Sequence, residues 1–483
     1  MKNLTLRRLA TVTHGRIFNG DELLDIEISS VVTDSRKVRN DCLFICIKGE
    51  HFDGHDFAAF AVENGAIAAV SEKELPNFPG AYLLVDSTFE ATKEIAEYYR
   101  MNLETTFIGV TGSVGKTSTK EFIAAVLSKR YRVHKTQGNL NNEWGVPFTI
   151  FDIKEGIEVA VIEMGINHFG EMDRLAKMVR PDIVVMTNIG QSHLEHFGDR
   201  DGILGAKAEI FRYLAPDGVV ILNGDDDKLS RISLVKGIEP QFFGLGKDCD
   251  VCAEKIVAKG LEGSEFDIVM RSGGARMALR VDMPVPGRKM IYNALAAYLV
   301  GTNLGVSPLM MKEAIENMTS MVGRNNIVRT EKYTILDDCY NASPSSMESS
   351  IDILKMAEGR KVAILGDMLE LGEETDKYHY QVGRYAAEAG CDQIICIGPL
   401  SEKIFMGAKM NTDNKVDYFH SPDACIRELP SLLKPGDTIL VKASHSMNFE
   451  TIVEYLKKEE MDESLSETVS GEDNGEGEKP SGM

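Results

Sequence analysis

The stretch Gly109-Val-Thr-Gly-Ser-Val-Gly-Lys-Thr-Ser-Thr-Lys120 concentrates glycines, lysines and hydroxyl side chains. An apolar run, Phe107 to Val110, precedes it, and a helix-forming segment, Glu121 to Leu127, follows. That is the strand–loop–helix order of a phosphate cradle. Glycines let backbone N–H groups turn toward an anion, Lys116 meets β- and γ-oxygens, and Thr117 can ligate Mg²⁺. The helix N-terminus adds roughly half a positive charge at the same place. The spacing departs from the strict P-loop pattern: Gly109 lies one residue too far from Gly115, and Val110 holds the expected glycine position. A Gly-rich turn entering a helix shares part of this pattern; an ATP-using enzyme accounts for all of it.

Further groups able to do chemistry follow at the ends of apolar runs. In Val161-Ile-Glu-Met-Gly165, Glu163 closes such a run, where a parallel sheet collects ligands and a carboxylate can hold Mg²⁺. An ordinary strand-end acid would look the same. Asn188, His193, Glu195 and His196 cluster in one segment, as metal ligands or as a plain polar loop. Lys207 sits on a helical stretch with apolar neighbours, where a solvated lysine is the default. Thr136 to Glu143 offers Asn141 and Asn142 to a polar substrate, or is a solvated turn. Thr33-Asp-Ser-Arg36 puts Ser35 and Arg36 after a strand, for phosphate contact or a surface ion pair. Asp337-Asp-Cys-Tyr-Asn-Ala-Ser-Pro344 and Leu365-Gly-Asp-Met-Leu-Glu-Leu-Gly-Glu373 supply strand-end acids that suit ribose hydroxyls, an ammonium group or a helix N-cap.

The elements that must position these groups read as α/β throughout. Strand-like runs at Ile26 to Val32, Cys42 to Ile47 and Ala81 to Val85, with a helical pattern from Phe57 to Asn64, describe a small first domain. Met101 to Thr106 reads as a linker. Runs at Phe107 to Val110, Val159 to Ile162, Ile183 to Thr187 and Val219 to Leu222 alternate with helices, which implies βαβ units around a mostly parallel sheet. Ile291 to Val300 is a strong helix. A further series has strands at Thr334 to Asp338, Lys361 to Leu365, Gln393 to Ile397 and Thr438 to Val441, and a last helix from Phe449 to Lys457. Domain breaks near 103 and 325 follow.

At 483 residues, 43% hydrophobic and 26% charged, the chain is expected to form two or three globular domains. No apolar stretch reaches the ~20 residues of a membrane span, and the N-terminus lacks a signal-peptide core, so a cytoplasmic protein is expected. The net charge of −21 argues against nucleic-acid binding. Nine acids and one lysine from Glu459 to Met483 hold −8 of it, in a tail expected to be disordered. Cys249-Asp-Val-Cys252 has redox or half-zinc spacing without a second pair to complete a site. A monomer is the default.

Four strings in order carry a resemblance: Thr111-Gly-Ser-Val-Gly-Lys-Thr-Ser118, Gly138-Asn-Leu-Asn-Asn142, Asp337-Asp-Cys-Tyr-Asn-Ala342 and Leu365-Gly-Asp-Met-Leu-Glu-Leu-Gly-Glu373. The chain resembles the Mur ligases, ATP-dependent amide-bond-forming enzymes of peptidoglycan synthesis, from about residue 1 to 458; the last string is similar to that of the dipeptide-adding member. The resemblance implies three domains: a small α/β domain for the UDP-sugar (1–102), a central P-loop ATPase-like parallel sheet (103–324), and a C-terminal Rossmann-like domain (325–458), with the acidic tail (459–483) outside. It implies ATP and Mg²⁺ as cofactors, and UDP-N-acetylmuramoyl-tripeptide and D-alanyl-D-alanine as substrates.

Carried over by position, Gly112, Ser113, Gly115, Lys116, Thr117 and Ser118 resemble the phosphate-binding loop. Glu163 and His193 resemble magnesium ligands alongside Thr117. Lys207 resembles the lysine that the family carbamylates, and Lys116, Lys207 and His193 the catalytic set. The resemblance implies Asn293 for adenine, Arg324 for phosphates and Asp338 for ribose. It assigns Ser35 and Arg36 to UDP, and Asn141, Asn142, Asn341 and Asp367 to substrate. The chain departs from the family at Lys442-Ala-Ser-His445, where Lys-Gly-Ser-Arg is common, at Ser343 for Asn and at Lys289 for His. A related ligase with another amino-acid acceptor and a non-catalytic nucleotide-binding paralogue are the alternatives.

Overall fold

Three β-sheets follow one another along the chain in the computed structural model, which describes residues 1–191, 194–272 and 275–458. His193 and the acidic tail lie outside the described residues. The first sheet holds Arg16–Phe18, Val31–Val32, Cys42–Ile45, Ala66–Ser71 and Tyr82–Leu84, in the spatial order first, fifth, fourth, third, second. Arg16–Phe18 runs antiparallel to Tyr82–Leu84, and the other neighbours pair in parallel. The middle strand, Ala66–Ser71, is buried along its whole length. The sequence reading places no strand there, because alanine, half of that segment, favours helix and carries little side chain to mark a sheet face. Tertiary burial overrides it.

Helix Thr88–Met101 leads to the second sheet. Ser87 Oγ accepts from Glu90 N at its start, and Ala91, Ile95, Ala96 and Tyr99 face inward. At its end Arg100 donates to Val179 O (2.7 Å) and lies over the Phe107 ring at 4.0 Å, which anchors the first unit on the second.

The second sheet has nine strands. Its parallel part runs, across the sheet, through Val251–Ala258, Gln241–Gly244, Val219–Asn223, Ile183–Met186, Thr106–Thr111, Val159–Glu163 and Val133–Lys135. Ser264–Ser272 and Ala275–Met283 extend it in antiparallel fashion. The chain leaves Thr106–Thr111 toward one side and later returns to its other side. Such a reversal of direction opens a crevice at the strand C-termini. Helix Lys116–Leu127 starts there, and helix Arg288–Asn303 shares its apolar core through Phe122, Ile123, Ile291 and Leu295. Cys252 lies in the strand Val251–Ala258 and shares a small buried cluster with Cys249 and Val269. These thiols are packing residues.

The third sheet has the order Asn326–Arg329, Thr334–Asp337, Thr438–Lys442, Lys361–Gly366, Gln393–Ile397, Lys415–Phe419. Asn326–Arg329 is antiparallel to its neighbour and the rest are parallel, with helices on both faces. Residues 450–458 form the last helix described. Among the described residues, no helix is long and apolar enough to cross a membrane.

Candidate active site

The phosphate loop is held by its neighbour rather than by itself. Gly112 adopts φ +143° and Gly115 φ +84°, conformations open to glycine. Val114 donates its N–H to Asn188 Oδ1 (3.1 Å), and its carbonyl accepts from Asn188 Nδ2 (2.8 Å) and Thr187 Oγ1 (2.7 Å). Ser113 N donates to Asn188 O, and Gly190 N to Ser113 Oγ. Asn188 is therefore a brace under the loop.

Lys116 donates to Gly112 O at 2.9 Å, which keeps its ammonium over the cradle. Burial lowers its pKa from the usual lysine range; Glu163 opposes that shift and Arg324 adds to it. Glu163 Oε1 accepts from Thr117 Oγ1 (3.1 Å) and Asn141 Nδ2 (2.8 Å). Its Oε2 is buried and has no hydrogen bond among the described residues. The Lys120 ammonium stands 3.7 Å from it, beyond hydrogen-bond reach, and a buried carboxylate oxygen with no hydrogen bond suits a hard cation. The residues present thus fit Mg²⁺.

Lys207 is 2% exposed, which overturns the default of a solvated lysine. Its pKa lies well below the ordinary value, first through burial and then through repulsion by Lys116. The shift is toward the neutral amine, which is the nucleophilic form. Glu195 and His196 belong to helix Leu194–Phe197, with the His196 ring 4.3 Å from that of His168.

A single cavity of 1010 Å³ joins the second and third sheets. From the loop and its surroundings, Ser113, Gly115, Lys116, Thr117, Ser118 and Glu163 line it, with Asn141 and Asn142 beside them. Asn293, Arg324, Asp338 and Asn341 close it from the far side. Asn293 Oδ1 accepts from Thr119 Oγ1 (2.9 Å), so it is positioned by the phosphate-loop helix. Arg324 stacks on Tyr340 at 3.9 Å, and His445 stacks on the same ring at 5.4 Å. Asp338 is committed internally, accepting from Lys442 Nζ (2.5 Å) and Asn325 N (3.1 Å). Neither Asp337 nor Asp338 caps helix Pro344–Lys355; Ser343 does.

Other expected site residues stay outside this cavity. Asp367 is a loop brace: it accepts from Ser401 N and Oγ, both at 2.7 Å, and is 2% exposed. That geometry leaves it no face toward a substrate. Ser35 begins the short helix Ser35–Lys37 on the first sheet, where the exposed Arg36 pairs bidentately with Asp34. Gly112 stands behind the loop against Thr187.

The sequence reading gave no part to Phe89, Trp144 or Lys120. Phe89 and Trp144 pair at 4.3 Å on the cavity wall where the first sheet's helix meets the Asn141 loop. Trp144 is the chain's one tryptophan and still 40% exposed, a composition signal that was available.

The Mur ligase middle domain matches residues 110–301, the glutamate ligase domain 323–445 and the Mur ligase family catalytic domain 27–100. The UDP-N-acetylmuramoyl-tripeptide–D-alanyl-D-alanine ligase of Bacillus subtilis is 36% identical over 458 residues, covering 94% of this chain and 98% of its own. The chain belongs to the Mur ligase family. The Escherichia coli enzyme of the same name is 34% identical over 463 residues, 95% of this Mur ligase and 99% of its own length. A crystal structure of MurF from Acinetobacter baumannii superposes with a TM-score of 0.85 at 32% identity, covering 94% of this chain and 99% of that one. MurF from Thermotoga maritima in complex with ADP gives 0.78 at 29% identity, covering 90% and 98%.

Proposed function

We propose that this Mur ligase joins the terminal carboxyl of UDP-N-acetylmuramoyl-tripeptide to the amine of D-alanyl-D-alanine at the expense of ATP, a step of peptidoglycan precursor synthesis. The observation that carries the reading is the uncommitted Glu163 oxygen beside Thr117, at the mouth of a phosphate loop, in a cavity shared with the third sheet. The names of its relatives specify the two substrates.

In this reading residues 1–102 take the UDP-sugar through Ser35 and Arg36, residues 103–324 take ATP, and residues 325–458 bring the dipeptide. The amides from Gly115 to Ser118 and the Lys116 ammonium hold the phosphates, on a loop shaped by Gly112 and Ser113; Asn293 meets adenine and Arg324 reaches the phosphate oxygens. Thr117, Glu163, His193 and a carbamylated Lys207 would hold Mg²⁺, which when bound offsets charge on the transferring phosphoryl group. The depressed pKa of Lys207 favours carbamylation, because the neutral amine adds to CO₂ and becomes an anion.

The substrate carboxylate, held by Asn141 and Asn142, attacks the γ-phosphorus and ADP leaves. The dipeptide amine then attacks the acyl phosphate, losing a proton as phosphate departs and the amide forms. Fixing both partners supplies roughly 7–11 kcal/mol of the barrier reduction. Closure of the third domain over the cavity keeps water from the acyl phosphate. Asn341 falls on this closing surface; Asp367 would act by holding the loop that follows strand Gln393–Ile397, through Ser401. We place the protein in the cytoplasm, as a monomer.

The test is phosphate release. It should require ATP, UDP-N-acetylmuramoyl-tripeptide and D-alanyl-D-alanine together, and vanish in Lys116→Ala. Release with a single amino acid in place of the dipeptide, or with no acceptor dependence, would overturn the assignment.

A further inference from the structure

Lys120 is one helical turn beyond Lys116 and 1% exposed, among the largest side chains that are fully buried. Its ammonium donates to Thr136 O at 2.7 Å and lies 3.7 Å from Glu163 Oε2 and 3.3 Å from Glu121 Oε1. The Thr136 hydroxyl accepts from Glu163 N at 2.9 Å. Glu163 in turn holds Asn141, on the loop that begins at Thr136. Lys120, Thr136, Glu163 and Asn141 therefore form a closed set of contacts. It ties the phosphate-loop helix, the strand Val159–Glu163 and the asparagine loop together.

We propose that Lys120 is a positioning residue for the metal site. It faces Glu163 from the interior side, fixes the carboxylate with one oxygen left uncommitted, and anchors the asparagine loop to it. Three features support this. At 3.7 Å the ammonium is too far to consume Oε2 in a hydrogen bond, yet near enough to balance its charge. Both partners are about 1% exposed, so neither charge has solvent as an alternative. The two side-chain donors to the carboxylate, Thr117 and Asn141, are neutral and both occupy Oε1. The division of labour is spatial: Lys116 serves the phosphates and Lys120 the carboxylate. The proposal rests on the ligase reading only for the identity of the cation.

Binding of Mn²⁺ to the full chain in the presence of ADP, followed by the loss of the free-Mn²⁺ electron paramagnetic resonance signal, tests it without turnover. Lys120→Met should raise the Mn²⁺ dissociation constant about tenfold or more, the usual range for outer-sphere partners of a ligand, and leave metal-free ADP binding within twofold. It should also raise KM for the tripeptide nucleotide, because the asparagine loop loses its anchor. Thermal unfolding of Lys120→Met, Glu163→Gln and the double variant supplies a measurement that survives poor folding of one variant. The double variant should be more stable than Lys120→Met alone, since it buries no unpaired charge. An unchanged or lowered Mn²⁺ constant, or strictly additive stability changes, would overturn the proposal. Normal Mn²⁺ weakening without dependence of phosphate release on both substrates would instead sink the ligase reading and leave Lys120 in its role.

Discussion

A methyl group added at Gly112 would stand 2.0 Å from Thr187 Oγ1, on a residue whose φ of +143° already disfavours a side chain. Gly112→Ala must therefore displace either the phosphate loop or the strand end that braces it. Binding of a non-hydrolysable ATP analogue, measured by calorimetry, should weaken at least tenfold, while far-ultraviolet circular dichroism stays that of the parent. Lys207 gives a second prediction at this scale. Its amine is buried and shifted toward the neutral form, so ¹³C-bicarbonate should yield a carbamate resonance that Lys207→Arg lacks. Arginine stays charged and adds no CO₂. Phosphate release by that variant should fall by about a hundredfold or more, the scale of losing a metal ligand.

At the scale of elements, the loop that follows strand Ile183–Met186 decides the geometry of the loop that follows Thr106–Thr111. Asn188 contributes two hydrogen bonds to Val114, and a lost bond with an orphaned partner costs about 1–3 kcal/mol. Asn188→Ala should raise KM for ATP by roughly 5- to 100-fold and leave KM for the tripeptide nucleotide nearly unchanged, as steady-state kinetics would show. This coupling marks where sequence reading stops. Lys116, Thr117 and Glu163 were legible because a phosphate cradle and a strand-end acid announce themselves within a few residues. The long parallel strands were legible as apolar runs. Ser264–Ser272 and Ala275–Met283 carry a different signal, charged and apolar residues alternating at the two-residue period of a half-buried strand, which a search for apolar runs passes over. Short edge strands such as Val133–Lys135 and Lys415–Phe419 carry too few residues to show a period. The burial of Asp367 against Ser401 and the contact of Lys120 with Glu163 depend on pairs 34 and 43 positions apart, which only the packed sheets bring together.

The whole molecule meets at Lys289, where the long helix of the second sheet touches the third. Its ammonium donates to Ser345 O at 2.5 Å, at the start of helix Pro344–Lys355. Burial, and then repulsion from Lys442, lowers its pKa from 10.5 to about 8, against the pull of Glu348, Asp352 and Asp338. The sign follows from proton counts. Between pH 8 and 10.5 the unfolded chain still holds a proton that the folded one has released, so this group's contribution to stability rises with pH across that window. Below pH 8 the folded state carries the full penalty of a charged, crowded amine. Lys289→Met removes the penalty and the Ser345 bond together, and only the penalty depends on pH. The melting temperature of the variant minus that of the parent, by scanning calorimetry, should therefore be largest near pH 7 and decline steadily toward pH 10.5. A flat difference would mean that neither burial nor Lys442 shifts the amine, and that the helix of the second sheet meets the third less tightly than the 2.5 Å contact describes.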